Sequence, residues 1–595
     1  MSFFSDFKKM AFMYDHEDVS RWDLKPLYND ERAWDANYET LLKQGFDAVV
    51  KFRGLLAQDP ANLEASLDAF FNFNEMLEKL YTYAHLLSDG DIGDQQNLIR
   101  INQARSLYSD FDANTSWMRS EILRIPNLRP EGKYARYLQR ILENRPHTLN
   151  EDEEKILSLC GVTQRSSSLF NILNNVELKF EDAIDKENKS HPLTLASYQN
   201  LVKSSDRQLR RSAFTNLFSS FDKVKMTLSE NYYQKVLENE FYRKVRKFDS
   251  SMEAALFGNE IPSSVYLNLL STVEKEENLK QLHRYVAWKG RVLGVDQVHA
   301  YDLYAEPYED VEMNFTLEEA MDLVLESIRP LGDEYVAIAT KGLKEERWVD
   351  WYERPGKRSG AYSSGYYKSH PYILMNFTGS IRDLFTLAHE LGHSMHSYYS
   401  NKHQPYPYAS YTIFVAEVAS TFHEEMLFDL LMKKINDPKI RQFYLHYKAE
   451  AIRATLHRQT LFANFEKTAH SYVENKGVLT ADYICGVFNE LYRKYYGERF
   501  VIDPLLGVEA LRIPHFYSSF YVYQYAIGVS ASLALHTNLK NDPILGQKKY
   551  LEFISSGSSK TPIDILKDAN VDVRDPSTIQ KALDAFKHLV DQLDT

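Results

Sequence analysis

The chain has 595 residues, 70 of them basic and 83 acidic, giving a formal net charge of −13, which argues against nonspecific phosphate binding as its main function. Apolar residues make up 44% and charged residues 26%, so a large core can form and global disorder is excluded. The 23 glycines and 19 prolines, about 7% against roughly 12% in ordinary usage, imply long helices with few connections. In chain order, the first stretch is MSFFSDFKKMAFMYDHED, interrupted by Asp6, Lys8 and Lys9. It lacks the apolar core and small-residue cleavage site of a secretion signal. No apolar run reaches the 18 or so residues that cross a bilayer. Two cysteines, Cys160 and Cys485, make no disulfide framework. The expectation is a soluble cytoplasmic protein with no membrane and no nucleic-acid partner.

Up to about residue 200 the sequence reads as amphipathic helices. Between Glu64 and Leu87, residues Leu67, Phe70, Phe71, Met76, Leu77 and Leu80 recur at three- and four-residue spacings, the pattern of one buried stripe. Asn127–Pro130 and Asn144–Pro146 are polar breaks. The polar stretch Asp182–Pro192 reads as a turn or loop, and a soft boundary is placed there. It separates an N-terminal helical region, 1–190, from a catalytic region, 191–595. Helical periodicity resumes over 200–300. Between Trp348 and Ser380 the texture changes, with Gly356, Gly360, Gly365, Gly379, Pro355 and Pro371 clustered together. Inside it, Pro371–Phe377 reads as a short strand and Gly360–Ser363 as a second one. From Ile381 onward the pattern is helical again, broken at Gln404–Pro407 and at a turn over Ser555–Ser559.

The segment Ser380–His396 contains HExxH as His389, Glu390 and His393. By composition alone the motif is expected fewer than about 0.1 times in such a chain. Ile381, Leu384, Phe385, Ala388, Leu391, Met395 and Tyr398 fall at helical spacing around it. Ser380 with Asp383 resembles a capping pair at the helix start. Residues four apart point nearly the same way on a helix, so His389 and His393 can offer imidazole nitrogens to one cation. Zinc takes such ligands at about 2.0–2.1 Å in a tetrahedral arrangement. Glu390 lies about 100° round the helix, off the metal but placed for a general base.

A catalytic zinc needs a third protein ligand. His396 faces the same side as His389 but sits about 10 Å further along the axis, too far for one ion. The metzincin continuation fails at His396 and Tyr399. Glu417 is the better candidate. It lies in a second amphipathic helix marked by Phe414, Val415, Val418, Phe422, Leu427 and Leu430, and shares a face with Ser420, Thr421 and Glu424. A carboxylate in such apolar surroundings is costly unless paired or metal-bound. For Glu424 and Asp383, support of the histidines and a plain surface position both stay open. Further on, Arg512–Gly528 holds His515 with Tyr517, Tyr521, Tyr523 and Tyr525. Such groups either pack a core or stabilise an oxyanion, and composition does not choose.

Together these residues resemble the oligoendopeptidase F family, within the thimet-oligopeptidase-like zinc metallopeptidases. The likeness runs through Arg21–Tyr28, Ser359–Tyr362, Pro371–Phe377, Phe385–Tyr399, Ala416–Thr421, His515–Tyr517, Tyr521–Tyr525 and Phe553–Ser559. The resemblance implies a mostly α fold of two lobes around a deep channel, with a small β-sheet near the active site. It implies zinc held by His389, His393 and Glu417, with Glu390 as base and acid. It also implies that His515, Tyr521 and Tyr525 stabilise the tetrahedral intermediate. One departure is Ser558, which stands where the family usually has a second glycine. The resulting expectation is a zinc metalloendopeptidase that hydrolyses internal bonds of short unstructured oligopeptides by Glu-assisted attack of zinc-bound water. Either short strand offers an edge for an extended peptide. The rival reading is a helical binding protein that keeps zinc without cleaving, and the intact Glu390 argues against it. Oligomeric state and cleavage preference are not readable from the sequence.

Overall fold

A computed structural model describes residues 20–308, 311 and 313–595; the N-terminal stretch read above for a targeting signal lies outside them. Contacts divide the chain into two compact units, each assembled from three segments. The first comprises the described residues of Met1–Arg145, Met313–Leu430 and Asn538–Thr561, and the second those of Pro146–Glu312, Leu431–Thr537 and Pro562–Thr595. As expected from the low Gly and Pro content, helices dominate both. Among the described residues no helix is long and apolar enough to cross a membrane.

In the first unit the predicted stripe over Glu64–Leu87 is helix α1, Pro60–Gly90. It starts where Asp59 accepts a hydrogen bond from Ala61 N–H and Pro60 takes the first turn, a position that needs no backbone donor. Leu67, Leu77 and Leu80 are fully buried. Helix α2, Gln95–Thr115, packs on α1, and Phe111 of α2 stacks on Phe70 and Phe73 of α1 at 5.2 and 5.1 Å. This core continues into Tyr366, Tyr372 and Leu374, so it supports the sheet that borders the site.

The glycine-rich stretch forms a three-stranded sheet: β1 (Val349–Asp350), β2 (Tyr362–Ser364) and β3 (Tyr372–Leu374), in the order β1–β3–β2. β3 runs parallel to β1 and antiparallel to β2, with Ser363 opposite Ile373. Both strands read from the sequence are present. Because β3 is central, its backbone is paired on both sides, and β2 is the one of the two with an edge that no other described strand pairs. Gly379, at φ +90°, then brings the chain against Phe315, whose carbonyl accepts no side chain there: a methyl on Gly379 would lie 2.7 Å from it. The polypeptide enters helix α3, Ile381–His403, through the predicted capping box of Ser380 and Asp383. The stretch read as a loop at Gln404–Pro407 contains the start of a one-turn helix, Tyr406–Ala409. Helix α4, Ile413–Lys434, follows.

In the second unit, Asp182–Pro192 is a two-stranded hairpin, with Ala183–Ile184 paired to Ser190–His191. Helix α5, Arg458–Glu474, packs against helix Lys225–Val245. The aromatic segment is a short 3-10 turn, Pro514–Tyr517, followed by helix α6, Tyr523–Asn541.

Candidate metal centre

The crossing of α3 and α4 makes the site. On α3, His389 and His393 stand one turn apart, with their Nε2 atoms 3.2 Å from each other. On α4, Glu417 places its oxygens 3.5 Å from His389 Nε2 and 4.0 Å from His393 Nε2. All three offer ligand atoms within 4.8 Å of one another, and no other group of three or more potential ligands converges so among the described residues. Ligand atoms about 2.0–2.2 Å from a tetrahedral zinc stand about 3.3–3.6 Å apart. The observed separations bracket that range, so the donor set fits zinc.

Glu424, two turns along α4 from Glu417, accepts a hydrogen bond from His389 Nδ1 at 2.7 Å. It thereby fixes the ring and directs Nε2 to the ligand cluster. Burial lowers the proton affinity of the His389 ring, but the Glu424 hydrogen bond and charge overcome it and push the pKa up to about 9. His393 is held well below the usual imidazole range by burial and by the neighbouring His389. Of the two acids left open by the sequence, Glu424 therefore supports a histidine. Asp383 does not: its Oδ2 accepts from Thr378 N–H and Oγ at 2.8 and 2.6 Å and closes the cap of α3. His396 is buried, its ring stacked on Tyr411 at 3.6 Å, so it is no third ligand.

Glu390 points off the cluster and is 6% exposed. The nearby Ser363 N–H of β2 favours its charged form, while its Oε2 has no hydrogen-bond partner. A buried carboxylate oxygen left unpaired is costly, and here it is available to a water or substrate proton. Burial raises the Glu390 pKa to about 7, with His389 opposing the rise and Glu417 adding to it.

Gly392 was not singled out by the sequence reading, though a glycine inside a helix signals close packing. A methyl there would stand 2.7 Å from Ser420 Cα and 2.8 Å from the Ala419 carbonyl of α4. The helices meet backbone to backbone one turn from Glu417. Gly392→Ala should force them apart, costing about 1–3 kcal/mol and weakening metal retention. Thermal melting with metal analysis checks this; an unchanged melting point and full metal content would mean the crossing is not set by Gly392.

His515, Tyr521 and Tyr525 lie in the second unit. Their rings cluster, with centroids 6.2 Å apart for His515–Tyr521 and 5.5 Å for Tyr521–Tyr525, and Tyr525 Oη is 3.5 Å from His515 Nε2. His515 is exposed and the two tyrosines are half-exposed. The other two tyrosines of the segment are core residues. Tyr523 is fully buried, and Tyr517 is 8% exposed with its hydroxyl bonded to Asn231 Nδ2.

The peptidase family M3 model matches residues 200–585, and the oligopeptidase F model matches residues 130–180. The oligopeptidase PepF of Bacillus subtilis is 39% identical over 583 residues, spanning 96% of this chain and 86% of that protein. An oligoendopeptidase F homologue of Borreliella burgdorferi is 33% identical over 588 residues, 96% and 97% of the two chains. Among solved structures, a protein from Chlamydophila abortus described as a peptidase superposes with a TM-score of 0.91 at 36% identity, over 97% of this chain and 98% of that one. Oligoendopeptidase-F from Enterococcus faecium superposes at 0.72 with 30% identity, over 95% and 98%. The chain belongs to peptidase family M3, as an oligoendopeptidase F-type metallopeptidase.

Proposed function

We propose that the chain is a zinc-dependent endopeptidase of short, unstructured oligopeptides, with His389, His393 and Glu417 as metal ligands and Glu390 as the general base and acid. The observation that carries this reading is the convergence of two imidazoles and a carboxylate beside a buried carboxylate with one unpaired oxygen. When bound, zinc supplies Lewis-acid chemistry, polarising a carbonyl and lowering the pKa of water. The residues of the chain do the rest. Glu390 Oε2 takes the proton of the attacking water and passes it to the leaving amine, while the nearby Ser363 N–H favours the charged carboxylate. The outer edge of β2 pairs with the extended peptide backbone. His515, Tyr521 and Tyr525 donate hydrogen bonds to the developing oxyanion. Two unpaired cysteines support a cytoplasmic setting.

Turnover of an internally quenched peptide that stops with a chelator and returns with added zinc tests the metal assignment. Turnover that survives chelation at zero bound metal would sink it. Tyr525→Phe should lower kcat by about 10²–10³ with little change in KM, because the hydrogen bond forms mainly in the transition state. Normal kcat in a folded Tyr525→Phe protein would remove that residue from the oxyanion site. The oligopeptidase relatives support a restriction to short chains. One cleavable sequence should be cut as a free peptide and spared as an ordered loop of a stable carrier, since opening a folded domain costs about 5–15 kcal/mol. Equal rates would contradict the size limit while leaving the chemistry untouched.

A further inference from the structure

Tyr521 follows a residue in an improbable conformation. Phe520 has φ +58°, a left-handed setting that a bulky side chain avoids. Such a turn persists only where its surroundings over-determine it. Four side chains do so here. The Phe520 N–H donates to Glu466 Oε1 at 2.8 Å, and Glu466 sits fully buried on α5. One turn further on, His470 Nδ1 bonds the Glu466 carbonyl at 2.8 Å, which leaves Nε2 to accept from Asn239 Nδ2 at 3.0 Å. The same Asn239 amide donates to Ser519 Oγ at 2.7 Å. The His470 and Tyr266 rings clamp the Phe520 ring at 4.5 and 5.7 Å. Of these four, Glu466 is the one that hydrogen-bonds the backbone of Phe520 itself. No role in metal binding or proton transfer accounts for this buried acid, whose Oε2 has no partner.

The geometry points to Glu466 as a positioning residue: its Oε1 holds the left-handed turn at Phe520, and the turn sets the Tyr521 ring against His515 and Tyr525. The inference rests on the proposed oxyanion role of Tyr521. Burial pushes the Glu466 pKa up to about 8, so at neutral pH the group that serves Phe520 N–H is the carbonyl of a neutral acid. Gln supplies the same acceptor in the same shape. Leu supplies none, and Asp is one carbon too short to reach.

The test compares Glu466→Gln, Glu466→Asp and Glu466→Leu, each alone and combined with Tyr521→Phe. It reads kcat, KM, bound metal and amide hydrogen exchange over residues 514–525. Glu466→Leu should lower kcat by about 10²-fold, the scale of a misplaced catalytic group, with KM and metal content unchanged and faster exchange in that segment. Glu466→Asp should move the same way by a smaller factor. Glu466→Gln should restore both kcat and exchange protection. In the Tyr521→Phe background, Glu466→Leu should remove little further kcat, because its effect passes through that hydroxyl. Independent, multiplying losses would overturn the proposal, as would normal exchange in the Asp and Leu variants or a Gln variant as impaired as Leu. Should Leu not fold, the Asp and Gln pair decides on the same readouts. A normal kcat for Tyr521→Phe alone would instead refute the oxyanion role of Tyr521, and hydrogen exchange would still judge whether Glu466 holds the turn.

Discussion

Replacing Glu390 with Gln should lower kcat by about 10²–10⁴, the usual contribution of a positioned general base, while full metal content is retained. Gln keeps the shape of the side chain and a carbonyl acceptor beside the Ser363 N–H, so the fold around β2 and α3 is undisturbed. What it loses is the ability to take a proton at the Oε2 position, the buried oxygen without a partner. The pH profile gives an independent check. Burial holds the Glu390 pKa up at about 7, against the opposing charge of His389. A cation held by the neighbouring ligands favours the carboxylate and moves that value downward. The base works only when deprotonated, so kcat/KM should fall as pH drops, with a midpoint below 7. Substantial turnover by the metal-loaded Gln variant would remove Glu390 from this role. An acid limb centred well above 7 would assign the limb to another group.

The sequence made the first helix of the site legible because its signals are local. The motif, the apolar stripe and the Ser380–Asp383 pair all act within one helix, and the capping box formed as read. Glu417 was legible for a different reason: an acid among Phe414, Val415 and Val418 needs a partner. Other parts depend on what another segment brings, and no spacing encodes that. The Ser363 N–H that lowers the Glu390 pKa is a backbone group like any other until the sheet is formed. Tyr521 and Tyr525 could not be separated from Tyr517 and Tyr523 by composition. The separation comes from the break between a 3-10 turn and α6, which turns the latter two into the core. That break sits at Phe520, whose side chain carries no signal for a positive φ. Asp383 illustrates a conflict between two legible roles. An acid three residues into a helix caps it, and a carboxylate held by Thr378 and Ser380 at the helix start is not turned toward an imidazole one and a half turns away.

Changing Glu417 to Ala should remove both stoichiometric metal and turnover, whereas Glu424→Gln should only weaken metal binding. The difference follows from where each acid touches the site. Glu417 faces the Nε2 atoms of both histidines, and without it two neutral nitrogens on one helix are left to hold a divalent ion. Glu424 instead bonds His389 Nδ1, behind the ring. Loss of such a partner typically costs about 10–100-fold in metal affinity, so activity should return at saturating zinc. Protons compete for the same nitrogen. In the metal-free protein Glu424 outweighs burial and raises His389 to about 9, so His389 must shed a proton to bind metal and apparent affinity falls as pH is lowered. In Glu424→Gln the charge that retains this proton is gone while burial still opposes it. The pH dependence of metal uptake should therefore flatten near neutrality even as the intrinsic affinity drops. Calorimetric zinc titrations at several pH values separate the two effects. Stoichiometric zinc and near-normal kcat in Glu417→Ala would refute the ligand assignment, and an unchanged affinity in Glu424→Gln would show that the 2.7 Å contact does not tune the site.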